Sequence, residues 1–108
     1  MKYNNIWLIL LLSFVILISG CFHEGIDKKT AECIASTSKV YISGQCENCV
    51  MQEEVFGESY IYMNVIDCKL NQEDCIEKDI MEVPTWLFGE ERISGVLTEE
   101  QLKQYTGC

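Results

Sequence analysis

Gly44-Gln45-Cys46-Glu47-Asn48-Cys49-Val50-Met51, read with Val83-Pro84-Thr85-Trp86 later in the chain, decides the fold. Two thiols separated by two residues at the start of a helical pattern can close a small disulfide and reopen it. Val83-Pro84 holds the only proline of the sequence, just before an apolar strand pattern. A helix-opening CxxC combined with a later X-Pro of this kind points to thiol–disulfide chemistry at Cys46 and Cys49.

Helical periodicity runs from Glu47 through Phe56, with Val50, Met51 and Val55 expected on the apolar face and Gly57 as the stop. Cys46 then sits at the N-terminal end of that helix. Free N–H groups and the positive end of the dipole stabilise a thiolate there, which mid-helix positions do not offer. Cys46 is therefore the expected attacking thiol and Cys49 the resolving one. Upstream, Thr30 to Ser36 reads as a short helix and Lys39 to Ile42 as a strand. Downstream, Ser59 to Asp67 is a nearly continuous apolar run, expected as a strand buried on both faces. Asn71 to Ile80 reads as a helix with Asn71 as its cap. Thr85 to Phe88 and Arg92 to Val96 read as a hairpin around Gly89-Glu90-Glu91. Thr98 with Gln101 forms a capping-box pattern for a last helix that stops at Gly107.

The resulting order, β-α-β-α-β-β-α, resembles the thioredoxin-like α/β arrangement, with a central sheet flanked by helices. More specifically, the chain is similar to the thioredoxin-like domain fused to, or partnered with, bacterial and archaeal homologues of vitamin K epoxide reductase. Ala31-Glu32-Cys33, Tyr41, Cys46 and Cys49, the stretch from Gln52 to Phe56-Gly57, and Asp67-Cys68 carry the first half of the resemblance. Cys75, Val83-Pro84-Thr85-Trp86, Gly89, Gly95-Val96, Leu102 and Gly107 carry the second, so that it spans about residues 30–108.

The resemblance implies a cis bond before Pro84, with the Val83 backbone pairing with a substrate chain beside the sulfurs. Partners implied are protein thiols and disulfides and a membrane vitamin K epoxide reductase-like protein; neither a cofactor nor a metal is implied. The family usually carries an aromatic before the first cysteine and Pro-His between the two. Here Gln45 and Glu47-Asn48 stand instead. A carboxylate beside Cys46 disfavours its thiolate, which favours a carrier or reductant over a strong oxidant.

The N-terminus supplies the compartment. Ile6 to Ile18 is apolar apart from Ser13, too short to cross a hydrocarbon core of about 30 Å comfortably but of signal-peptide length. Ile18-Ser19-Gly20-Cys21 resembles the lipobox of bacterial and archaeal lipoproteins, which makes Cys21 the expected lipidation site. The expected organisation is a signal peptide over 1–20, a polar tether over 21–29 and one domain over 30–108. A lipid anchor, or an uncleaved apolar anchor, places the domain on the outer face of the cytoplasmic membrane. His23, the only histidine, reads as a spacer residue.

Composition fits one small exported domain. The chain has 108 residues, is 48% hydrophobic and holds seven cysteines, a density that points to an oxidising compartment or to metal. Without residues 1–20 only Lys2 is lost, leaving 7 basic against 17 acidic side chains and a net charge of −10. Such a field repels phosphate backbones, so nucleic acid is not an expected partner. With Cys21 set aside, six thiols remain. If Cys46 pairs with Cys49, the short span Cys68–Cys75 and the end-to-end tie Cys33–Cys108 are the candidate structural disulfides, with Cys68–Cys75 alternatively a second exchangeable pair. Two readings from other classes stand beside this one. The first is a zinc site from Cys46, Cys49, Cys68 and Cys75, whose second spacing of six residues fits poorly. The second is a non-catalytic, disulfide-stabilised lipoprotein binding module.

Overall fold

The computed structural model describes residues 5–7 and 25–108. Cys21, His23 and most of the expected signal segment lie outside the described residues. No helix among the described residues is long and apolar enough to cross a membrane.

The chain runs α1 (Lys28–Thr37), β1 (Ser38–Ile42), α2 (Glu47–Phe56), a 3-10 helix (Gly57–Tyr62), β2 (Val65–Asp67), α3 (Gln72–Glu77), β3 (Thr85–Phe88), β4 (Glu91–Ser94) and α4 (Glu99–Thr106). The four strands form one sheet in the order β2-β1-β3-β4. β1 and β2 are parallel, with Val40 opposite Val65 and Ile42 opposite Asp67. β3 is antiparallel to β1 and to β4, with Trp86 opposite both Val40 and Ile93.

Because side chains alternate across a strand, this register puts Val40 and Trp86 on one face and Tyr41 and Thr85 on the other. The first face carries the core, where Val40 and Trp86 pack with Ile34, Phe56 and Leu102 from α1, α2 and α4. The second face is covered differently. Tyr41 is fully buried, and its hydroxyl donates to Asp74 of the short α3 at 3.1 Å. The result is a mixed α/β domain with a four-stranded central sheet flanked by helices, in the thioredoxin-like arrangement expected from the sequence.

Several elements differ from the sequence reading, each for a local reason. The tether expected through Lys29 is corrected for residues 25–29, which are built into the domain. Ile26 is buried, Gly25 packs so closely that a Cβ would run into the Phe56 carbonyl, and the Asp27 carboxylate accepts from the Thr30 N–H to cap α1. Hydrogen bonding from the Thr30 side chain, and then from its N–H, holds the Asp27 carboxyl below the ordinary carboxylate range. The strand expected over 59–67 is only Val65–Asp67. The residues before it coil into a 3-10 helix that turns Tyr60 and Met63 inward and leaves Ile61 80% exposed, a spacing of three instead of two. β2 is also a sheet edge, so its residues are half-buried and not covered on both faces.

The helix expected over 71–80 is the shorter α3. It ends because Asp79 takes a φ of 52°, and the Asn71 side chain donates to the Asp67 carbonyl instead of capping. β4 stops at Ser94, since Gly95 takes a φ of 106°. α2 and α4 have the expected ends, including the Thr98–Gln101 capping box.

Candidate functional site

α2 begins where the sequence placed it, and Cys46 is its N-cap residue. The Cys46 carbonyl accepts the first helical bond from the Val50 N–H at 3.2 Å, while the Cys46 Sγ accepts from the Cys49 N–H at 3.1 Å. The sulfur thus occupies the place that a Ser or Asp oxygen takes in an ordinary cap. In the reduced protein the same N–H would support a thiolate. Gln45, just before it, adopts a φ of 56° that a non-glycine residue rarely takes, which swings the chain from the end of β1 onto the helix.

Cys46 and Cys49 form a disulfide with Cα atoms 5.2 Å apart. Cys46 is half-buried and Cys49 is only 6% exposed, so Cys46 is the more open residue of the pair. Glu47 and Asn48, in the first turn of α2, are exposed.

Val83-Pro84 lies opposite. The peptide bond between them is cis, and the Val83 carbonyl oxygen is 3.6 Å from the Cys46 Sγ. This segment is held at three points. The Gly95 N–H donates to the Pro84 carbonyl at 2.8 Å, and the Thr85 hydroxyl donates to the Glu82 carbonyl at 2.6 Å. Thr85 Oγ1 also lies 3.2 Å from Ser94 Oγ across the hairpin. Because β1 and β3 are antiparallel, the end of β1 that leads to Cys46 and the start of β3 that follows Pro84 meet at one end of the sheet.

The second cysteine pair lies at that end too. Cys68 follows β2, and its N–H donates to the Ile42 carbonyl at 2.8 Å. Cys68 and Cys75 form a disulfide with Cα atoms 5.7 Å apart. The third disulfide, Cys33–Cys108, joins α1 to the last residue with Cα atoms 6.0 Å apart and takes no part in this end of the sheet. The alternative zinc set is not assembled. Its four sulfurs are in two separate disulfides, and among the described residues no three His, Cys, Asp or Glu groups are placed to hold a metal ion together.

Sequence reasoning missed what anchors α2. Val50 and Met51, expected on its apolar face, are exposed, and the inward positions are Cys49, Gln52 and Phe56. Gln52 is fully buried. Its carbonyl oxygen accepts from Trp86 Nε1 at 3.0 Å and from the Leu97 N–H at 2.7 Å, and its amide donates to the Leu97 carbonyl at 3.0 Å. The available signal was spacing: Gln52 stands three residues after Cys49 and four before Phe56, on the same helical face.

No family model matches the chain, and no curated protein matches it. Among solved structures it is similar to the crystal structure of the NTD_N/C domain of alkylhydroperoxide reductase AhpF from Enterococcus faecalis. That likeness has a TM-score of 0.49 at 20% identity over 78% of this chain, which spans 45% of the length of the enterococcal one. A second structure, described as that of a malarial protein, gives a TM-score of 0.48 at 18% identity, over 63% of this chain and 89% of that one. The fold assignment stands on the sheet order and connectivity of the chain itself: a parallel β1-α2-β2 unit followed by an antiparallel β3–β4 hairpin, with CxxC and X-Pro at one end.

Proposed function

We propose that this protein is a membrane-anchored, extracytoplasmic thiol–disulfide oxidoreductase. The observation that carries this reading is the approach of the Cys46 sulfur, at a helix N-cap, to within 3.6 Å of the Val83 carbonyl next to Pro84. The Cys46 thiolate attacks a client disulfide and forms a mixed disulfide. Cys49, buried directly behind, then displaces the client's sulfur and closes the Cys46–Cys49 bond. Two electrons pass from the cysteine pair to the client, and the reverse sequence oxidises a client dithiol. The Val83 peptide group borders the reacting sulfur, where an extended client strand can hydrogen-bond to it.

Cys21 is the proposed lipid attachment site, and the proposed electron partner is a membrane protein of the vitamin K epoxide reductase type. Glu47 beside Cys46 favours the reducing direction.

Trapping tests the proposal. Cys49→Ser should accumulate mixed disulfides through Cys46, and Cys46→Ser should not. Equal trapping by both variants would overturn the assignment of roles, and trapping by neither would overturn the activity.

A further inference from the structure

We propose that Cys68–Cys75 is a second exchange site, which reacts with thiols or disulfides carried on apolar chain segments. Cys68 and Cys75 share no residue with the Cys46–Cys49 pair.

Four observations carry it. First, the pair repeats the asymmetry of Cys46–Cys49: Cys68 is half-buried, whereas Cys75 is 6% exposed. In such a pair the more open cysteine is the one a client reaches first, and the buried one is the sheltered leaving group. Second, both cysteines line a cleft of about 350 Å³ whose other walls are Gln72, Asp79 and the apolar Ile76, Ile80 and Met81. Ile76 is 75% and Met81 89% exposed, so these apolar side chains contribute little to the domain's own core. Third, α3 does not depend on the disulfide alone. Tyr41 holds Asp74 from the sheet, and the Arg92 guanidinium donates to the carbonyls of Lys78 and Asp79. Opening the bond therefore leaves the helix tied at both ends. Fourth, the pair shares the active end of the sheet. Cys68 is bonded to Ile42, four residues before Cys46, and Gly44 packs against the Lys69 side chain.

The chemistry balances as ordinary exchange. A client thiolate attacks Cys68 Sγ; the client–Cys68 bond forms as the Cys68–Cys75 bond breaks, and the electron pair leaves on Cys75, which takes a proton from water. A second client thiolate then attacks the client sulfur of that mixed disulfide and releases Cys68 as a thiolate, which is protonated in turn. The client dithiol is oxidised by two electrons and the Cys68–Cys75 pair is reduced by two.

Two measurements test the proposal. The full chain is equilibrated over graded ratios of reduced to oxidised dithiothreitol and alkylated, and its cysteines are assigned by peptide mass spectrometry while circular dichroism follows the fold. Cys68–Cys75 should open with the dichroism unchanged and Cys33–Cys108 still closed. Opening only together with Cys33–Cys108, or only with loss of the dichroism signal, would overturn the proposal.

The second measurement uses Cys75→Ser combined with Cys46→Ser and Cys49→Ser, so that the CxxC contributes nothing and its own failure is scored separately. Cys68 in this variant should attack a disulfide-linked peptide whose cysteine is flanked by leucines roughly tenfold faster than it attacks oxidised glutathione, as expected from burial of one or two methylenes. Equal rates would mean that the cleft selects nothing, and no reaction with either probe would mean that Cys68 is a closed structural thiol.

Discussion

Gln52 and Trp86 are joined inside the core by a 3.0 Å hydrogen bond, in which the indole Nε1–H donates to the amide oxygen one helical turn after Cys49. The same side chain satisfies both backbone groups of Leu97. One buried amide thus fastens α2 to β3 and to the loop before α4, and it fixes the helix on which Cys49 rides. Gln52→Ala would leave the Trp86 N–H and the Leu97 N–H and C=O without partners. With each lost partner costing about 1–3 kcal/mol and the three not additive, a loss of about 3 kcal/mol is expected in urea unfolding. Gln52→Glu keeps the acceptor but turns a carboxylate oxygen towards the Leu97 carbonyl. It should be more stable at acid pH, where a protonated carboxyl can donate, than at neutral pH. A flat pH profile for Gln52→Glu would contradict this account.

The Cys33–Cys108 bond closes a separation of 75 residues, by far the longest of the three. It restricts the unfolded chain most, so replacing both cysteines by serine should cost up to about 4.5 kcal/mol in the chain-entropy model. It shares no element with Cys46 and Val83, so the Cys46–Cys49 reduction potential should stay where it is. A shift in that potential would show that α1 and the chain end reach the site through the core.

Legibility followed the strength of local signals. α2 from Glu47 to Phe56, the β3–β4 hairpin and the Thr98–Gln101 cap each rest on chemistry confined to a few neighbouring residues, and all three were readable. The meeting of Cys46 with Val83 was expected only through resemblance, because no local pattern brings residues 37 apart together. What misled was apolar content without a partner. Ile61, Val50 and Met51 look like core residues in a string, yet they face outward because β2 is a short edge strand and α2 turns Gln52 inward. A polar residue in a core position is invisible to hydrophobic periodicity. Gln52 is the case in point, since its role depends on Trp86 and Leu97 far along the chain.

The start of the folded unit yields another test. A Cβ at Gly25 would strike the Phe56 carbonyl and come within 2.9 Å of the Gly57 N, both backbone atoms at the end of α2 that cannot swing aside. Gly25→Ala should therefore destabilise by about 1–3 kcal/mol, as overpacking does. A chain that begins at Thr30 should lose more, since it also gives up buried Ile26 and the Asp27 cap. Unchanged unfolding midpoints in both would return residues 25–29 to the tether.

Tyr60 makes stability sensitive to alkali. It is half-buried against Phe56, with ring centroids 5.9 Å apart, and burial followed by the nearby Glu53 carboxylate pushes its hydroxyl from the ordinary 10.0 up to about 12. The raised value means that the folded protein keeps the proton after the unfolded chain has released it. Between pH 10 and about 12 the unfolded state therefore binds fewer protons, and stability falls as pH rises. Below 10 the contribution is flat. The full shift would correspond to nearly 3 kcal/mol, but the hydroxyl is partly open to water, and a fall of about 1 kcal/mol is expected after screening. Tyr41, raised by its own burial and by the bond to Asp74, adds in the same direction. Tyr60→Phe keeps the ring packing and removes the titrating group, so its stability should decline less over this window, as measured by urea unfolding alongside tyrosinate absorbance. If wild type and Tyr60→Phe lose stability in parallel, the alkaline sensitivity belongs to Tyr41 or to the general acidic charge and not to Tyr60.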